Sequence, residues 1–171
     1  MADYSELLNQ LKAIMKVDRR LRSAASTTHQ LMAQRIFWTG TAADGGPIGT
    51  YSTKPGYFSP ERSPKKFTGL GKAGKSKFKN GKVHKTRYFE DGYAGFRSKA
   101  GRQNSRVDLR LTGTLEGSFV VGSDGKSGYA SGFVNDEQAA IAEGNESRFD
   151  TIVFELTADE EETFAELMIP E

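Results

Sequence analysis

Positive and negative charge are segregated along this chain. Residues 54–110 hold 16 lysines and arginines against 4 aspartates and glutamates, a net charge of +12, whereas residues 111–171 hold 2 against 14, a net charge of −12. The whole chain of 171 residues is nearly neutral, at +2. Because opposite charges of this size lie in different stretches, the sequence predicts a fold with separate basic and acidic surfaces. Such a fold meets either a polyanion or another copy of itself.

The basic excess is densest in residues 54–87, which hold eleven lysines and arginines, one acid, three prolines and five glycines. We expect a long basic loop here, either a functional extension or a segment that orders on binding. Lysine outnumbers arginine nine to two and lacks the guanidinium fork that reads bases, so any nucleic-acid contact is expected to ignore base sequence. A loop that packs on an acidic protein surface is the equal alternative. The candidate contact residues are Lys65, Lys66, Lys72, Lys75, Lys77, Lys79, Lys82 and Lys85.

The first 40 residues have the apolar spacing of helices. One helix is predicted from about Tyr4 to Ser23, opened by the Asp3 and Glu6 pair, and a second from Ala24 to Trp38. The two are continuous or are separated by a weak break at residues 26–28, and Gly40 ends the second. The basic side chains on the first helix are interpreted as a solvent-facing surface.

The remaining chain mixes helices with strands. A short helix is predicted at residues 93–101, and strands at 107–111, 116–121, 128–134 and 151–156. Asn135 opens a helix that runs through Ala142, and the capping box of Thr157 and Glu160 opens a helix to about Met168. The sequence therefore predicts a single α+β domain over residues 1–171. It comprises a helical part (1–40), a basic extended loop (54–87) and an α+β core (88–171) in which an antiparallel sheet of about four strands carries helices on one face.

Several classes of chemistry find no support in the sequence. The chain has no cysteine and only two histidines, His29 and His84, so disulfides, thiolate zinc sites and cysteine nucleophiles are excluded and a histidine-rich metal site is not expected. The letters of a phosphate-binding loop occur from Gly69 to Ser76, but neither the preceding buried strand nor the following long helix is predicted. No apolar run approaches the roughly 20 residues of a membrane span, and the N-terminus lacks a secretory signal. We expect a protein made in the cytoplasm, without enzymatic activity, cofactor or membrane contact.

Three groups of residues carry a resemblance to a known family. The first is Arg35-Ile36-Phe37 with the turn at residues 44–47. The second is a glycine- and arginine-containing stretch with a Thr112-Gly113-x-Leu115 motif, and it comprises Gly92, Tyr93, Phe96, Arg97, Gly101, Arg102, Gln103 and Gly113. The third is Asn145-x-x-Arg148-Phe149. In this order, over residues 31–168, they resemble the tailed-phage virion-morphogenesis proteins, the neck or tail-completion proteins of the type found in phage Mu.

The resemblance implies a structural virion protein that acts by assembly. Its members form rings at the junction of capsid and tail, so the expected partners are further copies in a six-fold or twelve-fold ring, adjacent neck, portal-side or tail proteins, and genomic DNA in the lumen. The residues that carry the resemblance are expected to be mostly structural, as turn glycines and core side chains. The alternative from a different class is a free, sequence-nonspecific nucleic-acid-binding module that uses the lysine-rich loop.

Overall fold

A computed structural model describes residues 4–59, 72–77, 81, 83–123 and 128–169 and has an α+β fold, as the sequence predicts. The helices and strands, in chain order, are α1 (Tyr4–Ala33) with a π-helical turn (Gln34–Thr39), β1 (Gly56–Phe58), β2 (Ala73–Lys77), β3 (Val83–Phe89), α2 (Gly92–Lys99), α3 (Thr114–Ser118), β4 (Phe119–Ser123), β5 (Tyr129–Phe133), α4 (Asp136–Phe149) and α5 (Ala158–Met168). The strands form two antiparallel sheets, one with the order β1-β3-β2 and one made of β4 and β5, where the sequence predicted one sheet.

The two predicted N-terminal helices are one continuous helix. Residues 26–28 do not interrupt it, because Ala25 and Thr28 face the body of the protein and are buried there. The helix ends in a π-helical turn at Gly40, which adopts a left-handed conformation with φ of 70°. Glycine takes this conformation without the steric cost that a Cβ imposes, as the prediction of a stop at Gly40 assumed.

The prediction of a long basic loop over residues 54–87 is wrong for the described part of that segment. It contributes β1, β2 and most of β3, and β3 pairs with both other strands. The low apolar content of the segment does not predict this sheet, because a few aromatic side chains are enough to hold one end of it. Phe58 of β1 and Phe89 of β3 pack against Phe96 of α2, with ring centroids 5.6 and 5.5 Å away.

Two strand predictions in the C-terminal half are wrong. Residues 107–111 form no strand, because Leu109 has φ of 52° and the amides of Asp108 and Arg110 donate to side-chain oxygens. Residues 151–156 form no strand either, because one carboxylate oxygen of Glu146 accepts the amides of Val153 and Phe154 at 2.7 and 3.0 Å. In both places side chains take the hydrogen bonds that a neighbouring strand would otherwise provide.

The remaining C-terminal predictions hold with shifted bounds. In the strand predicted at 116–121, the residues up to Ser118 belong to helix α3, and β4 begins at Phe119. The strand predicted at 128–134 corresponds to β5. Asn135 caps α4 as predicted, but α4 continues past Ala142 to Phe149. The capping box of Thr157 and Glu160 is present at the start of α5.

The core joins the N-terminal helical part to the C-terminal half. Side chains from the end of α1, from the extended segment after it and from the C-terminal elements pack in one cluster: Met32, Ile36, Phe37, Ala42, Ile48, Tyr51, Ala94, Val107, Leu115, Phe119, Ala142 and Val153. Burial of these side chains is the main source of stability for this part of the fold. Within the described ranges, no helix has the length and hydropathy needed to cross a bilayer.

Candidate interaction surfaces

The antiparallel pair β2 and β3 forms a basic ribbon. Lys75 and Lys85 are directly opposite each other in the register of the two strands, and both side chains are exposed. Lys72 precedes β2 and is also exposed. Like charges at opposed positions destabilise a strand pair by a few tenths of a kcal/mol, so an anion bound between these lysines would stabilise the ribbon. Of the other predicted contact residues, Lys77 lies in β2, and Lys65, Lys66, Lys79 and Lys82 lie outside the described residues.

Exposed acidic residues are concentrated on α4 and α5. Seven carboxylates of these two helices are exposed, and they are Asp136, Glu137, Glu143, Asp159, Glu161, Glu162 and Glu166. Several lie in the first turns, where the helix dipole favours negative charge. We call this set the acidic face.

The basic ribbon and the acidic face belong to different parts of the fold. The ribbon contacts β1 and α2, whereas α4 packs on α3 and β5, and α5 packs on α1. The three ion pairs among the described residues join Arg35 to Glu160, Arg97 to Asp108 and Arg110 to Glu116, so none involves a ribbon lysine or an exposed carboxylate of the acidic face. The two charge excesses are therefore not neutralised by each other within the described part of one copy.

The N-terminal half of α1 is a third unpaired surface. Ile14, Met15 and Val17 are 65, 63 and 56% exposed, while Ala24 of the same helix is fully buried. The first described side-chain bond from α1 to the body is that of Asp18, which accepts from the Tyr129 hydroxyl at 3.4 Å. Residues 12–17 therefore extend beyond the body as a helical arm.

Arg35, from the first motif, holds α5 against α1. Its guanidinium donates to both carboxylate oxygens of Glu160, at 2.8 and 3.2 Å, and to the carbonyls of Thr41, Val153 and Glu155. Bidentate pairing of this kind fixes orientation as well as distance. Phe37, from the same motif, packs on the rings of Phe119 and Phe154 in the core.

Arg97, from the central motif, is the centre of a buried polar network. It is 1% exposed and donates to Asp108 Oδ1 at 2.7 Å and to the carbonyl of Gln103 at 2.9 Å. The Tyr51 hydroxyl donates to the same carboxylate oxygen at 3.0 Å, and the guanidinium carbon lies 4.2 Å from the Tyr51 ring centroid. Burial raises the pKa of the Tyr51 hydroxyl, so it stays a proton donor at ordinary pH.

The other motif residues also have structural positions. Gly92, Gly101 and Gly113 have φ of 60, 70 and 89°, which suits turns. The rings of Tyr93 and Phe96 of α2 pack against each other. Arg102 donates to the carbonyl of Leu111, and the Gln103 amide donates to that of Arg106. Arg148 lies over the rings of Tyr93 and Phe149, and a Cβ on Gly49 would lie 2.8 Å from the Phe149 ring. These residues shape the fold.

The letters that match a phosphate-binding loop do not have its geometry. Lys75 and Ser76 lie within strand β2, whereas a phosphate-binding loop places this pair at the first turn of a helix. Among the described residues no group of three or more histidine, aspartate or glutamate side chains is placed to hold a metal ion.

His29 lies at the contact of α1 with the β4–β5 hairpin. Its Nδ1 is 3.0 Å from Ser131 Oγ, and its ring centroid is 4.6 Å from that of Phe119. Burial lowers the pKa of the imidazole, and a backbone hydrogen bond at Phe119 opposes this only in part. The neutral form of His29 is therefore the one that the folded protein favours.

We expect His29 to make the fold less stable in mildly acidic solution. The unfolded chain takes up a proton on this side chain below about pH 6.5, while the folded protein resists it, so stability falls as the pH drops through this range. The free energy of unfolding, measured by urea denaturation between about pH 7 and about pH 5, should fall further for the native chain than for His29→Gln. Equal losses in both proteins would contradict this role, since His84 and the carboxylates are common to both.

Sequence reasoning missed the acidic partners of the motif arginines. Asp108 lies within the strand predicted at residues 107–111, yet it is buried beside Arg97. Glu160 is predicted only as a capping residue, yet it also holds Arg35. No local signal marks either pairing, because Arg35 and Glu160 are 125 residues apart in the chain.

Comparisons of this chain with protein-family models, with curated proteins and with solved structures find no match.

Proposed function

We propose that this protein is a structural subunit of a tailed-phage virion, a ring-forming neck protein that joins capsid and tail as a tail-completion, tail-terminator or head–tail connector subunit. The observation that carries the proposal is the separation of the basic ribbon from the acidic face, without ion pairs between them among the described residues. A cyclic ring needs two different, complementary surfaces on each subunit, and opposite charge on separate elements meets that need.

The interior of the protein supports a mechanical role. Arg35 bonds to Glu160, which is 125 residues away in the chain, and the Asp108 carboxylate joins Arg97 to Tyr51, which is 57 residues from Asp108. These charge-assisted hydrogen bonds are largely shielded from water. Such networks hold elements in one relative orientation, and a ring subunit needs a fixed angle between its two contact surfaces for the ring to close. The expected neighbours are further copies in a six-fold or twelve-fold ring and the adjacent portal-side, neck or tail proteins, with the ring in the virion neck and DNA in its lumen.

The mass and shape of the purified protein test the proposal. Light scattering and negative-stain electron microscopy should show closed rings of uniform size at low salt. Raising the salt concentration should weaken them, because ions screen contacts between exposed charges. A protein that stays monomeric at every concentration and salt level, and is absent from finished particles, would contradict the proposal.

A second candidate function is nucleic-acid binding by the isolated subunit, and the opposed lysines of the basic ribbon favour it. Each phosphate contact by a lysine contributes about −0.9 to the slope of log affinity against log salt. For Lys75→Gln/Lys85→Gln we expect this slope, measured by DNA titration, to fall by about 2 if both side chains contact phosphates. The matched control is Lys54→Gln/Lys99→Gln, which removes the same charge from exposed positions outside the ribbon. An equal change in both variants would exclude the ribbon as the binding site.

A further inference from the structure

A cleft of about 590 Å³ lies between α4, α2 and the segment that leads into α3, and its volume is in the range of ligand pockets. From α4 it is lined by Gln138, Ile141, Asn145 and Arg148, whose spacing of three or four residues places them on one side of the helix. The opposite wall is mainly apolar and aromatic and includes Tyr51, Tyr93, Leu109, Leu111 and Leu115. The cleft therefore has polar groups along α4 and a mainly apolar surface facing them.

Arg148 lies at one end of the cleft with its charge unpaired. Its guanidinium carbon is 5.8 Å from the ring centroid of Tyr93 and 5.4 Å from that of Phe149, so the rings hold the cation without using its N–H donors. It belongs to none of the three ion pairs among the described residues, whereas Arg97, the other arginine of the lining, is paired with Asp108. A single free guanidinium matches the single charge of a carboxylate, which it binds in a bidentate manner.

Two side-chain amides of α4 line the same cleft with unused hydrogen-bonding groups. Gln138 is 9% exposed, yet its side-chain amide has no hydrogen-bond partner among the described residues. The fully enclosed unpartnered atoms of those residues belong to Thr28 and Ser59, so the amide of Gln138 is open to the cleft. Asn145 donates from Nδ2 to the carbonyl of Ile141 at 2.8 Å, which leaves its Oδ1 as a free acceptor within the described structure. Because a side-chain amide donates and accepts as a peptide group does, these groups are complementary to a peptide backbone.

The spacing of these groups sets the length and direction of a ligand. Gln138 and Arg148 are ten residues apart in α4, which is about 15 Å along the helix axis at about 1.5 Å per residue. An extended peptide advances about 3.3–3.6 Å per residue, so about four residues cover this distance and a single acylated amino acid does not. At the other end of the cleft, the exposed carboxylate of Glu137 would repel a second carboxylate, so the carboxyl end of the ligand belongs at Arg148.

We propose that this cleft binds about the last four residues of a partner protein, with the terminal carboxylate on Arg148. The peptide groups of the ligand bond to Gln138 and Asn145, and its apolar side chains pack on the leucines of the opposite wall. Such a site would attach a neighbouring protein to the subunit whether or not the subunit forms a ring.

Titration calorimetry with the full chain tests the carboxylate contact. The probe is an acetylated tetrapeptide of alternating alanine and leucine with a free C-terminal carboxylate, and the control probe is the same peptide with a C-terminal amide. We expect the acid to bind at least tenfold more tightly, because a bidentate charge-assisted pair is stronger than a neutral hydrogen bond. Equal affinities, or no binding of the acid at about 1 mM, would overturn the proposal. Acetyl-leucine should bind more weakly than the tetrapeptide, and equal binding would show that the site holds a small carboxylate and that the peptide assignment is wrong.

Two variants assign the contacts to their residues. Arg148→Gln should lose the preference for the acid over the amide, whereas Arg19→Gln, which removes the same charge from an exposed position on α1, should retain it. Gln138→Leu should weaken binding of both peptides equally, since it removes a backbone contact and leaves the guanidinium in place. A preference for the acid that persists in Arg148→Gln, or normal binding of both peptides by Gln138→Leu, would contradict the proposed contacts. The comparison of the two probes on the native chain tests the proposal even if a variant does not fold.

Discussion

Replacing Arg97 with methionine should lower the free energy of unfolding by about 3–5 kcal/mol, the typical cost of removing one partner of a buried ion pair. Arg97 is 1% exposed and Asp108 is 6% exposed, so the carboxylate would lose its cation without gaining water. The carbonyls of Gln103 and Arg110 would lose a donor at the same time. Urea denaturation followed by circular dichroism measures the loss as a lower midpoint at unchanged slope.

Two further variants separate the charge effect from loss of side-chain volume. Arg110→Met removes an arginine from an ion pair that is about one-quarter exposed, with Glu116, and from the face of Trp38, so it should cost only about 1 kcal/mol. Arg97→Met/Asp108→Asn keeps an oxygen for the Tyr51 hydroxyl and the Arg110 amide but removes the stranded charge. This double variant should be more stable than Arg97→Met alone. If it is not, the uncompensated carboxylate is not the cause of the loss.

Replacing Gly40 with alanine should cost about 3 kcal/mol or more, from left-handed backbone strain and a steric clash together. Gly40 has φ of 70°, and a Cβ at this position would overlap the backbone carbonyl oxygen of Val107. This backbone carbonyl of Val107 moves less easily than the end of a flexible side chain would. The junction between the end of α1 and the segment at Val107 would therefore have to open.

Gly45→Ala is the matched control for this substitution. Gly45 has φ of 83°, similar to that of Gly40, but no atom outside its own chain neighbours lies within 4 Å of the added Cβ. Its cost should be about 1 kcal/mol, from backbone strain alone. The difference between the two midpoints in urea then measures the clash. Equal midpoints would contradict close packing between Gly40 and Val107.

Strand pairing in the basic segment explains why the loop prediction, which was based on composition, is wrong there. Residues 54–87 have few apolar residues, which favours a loop, but a sheet forms there because its hydrogen bonds are made by the backbone, whatever the side chains. Phe58 and Phe89 anchor one end on Phe96, a residue from outside the segment. The sequence of residues 54–87, taken alone, therefore does not reveal the packing partner that stabilises the sheet.

The sequence by itself determined the features that depend on near neighbours. The caps of α4 and α5 at Asn135 and Thr157 and the end of α1 at Gly40 are determined by residues within a few positions of one another. The segregation of charge is determined by composition alone. The resemblance also marked Arg35 and Arg97 before any fold was known. It gave neither residue a partner, and the proposed ring remains a prediction.

Tertiary structure alone decided which polar groups are buried and what they bind. The alternation of Val107, Leu109 and Leu111 predicts a strand, but Asp108 turns inward because Arg97 and Tyr51 neutralise and hydrogen-bond its carboxylate there. Likewise, residues 151–156 have strand composition, but Glu146 accepts the amides of Val153 and Phe154. A buried charge is stable only beside its partner, and that partner is set by how the chain packs, which local spacing does not encode.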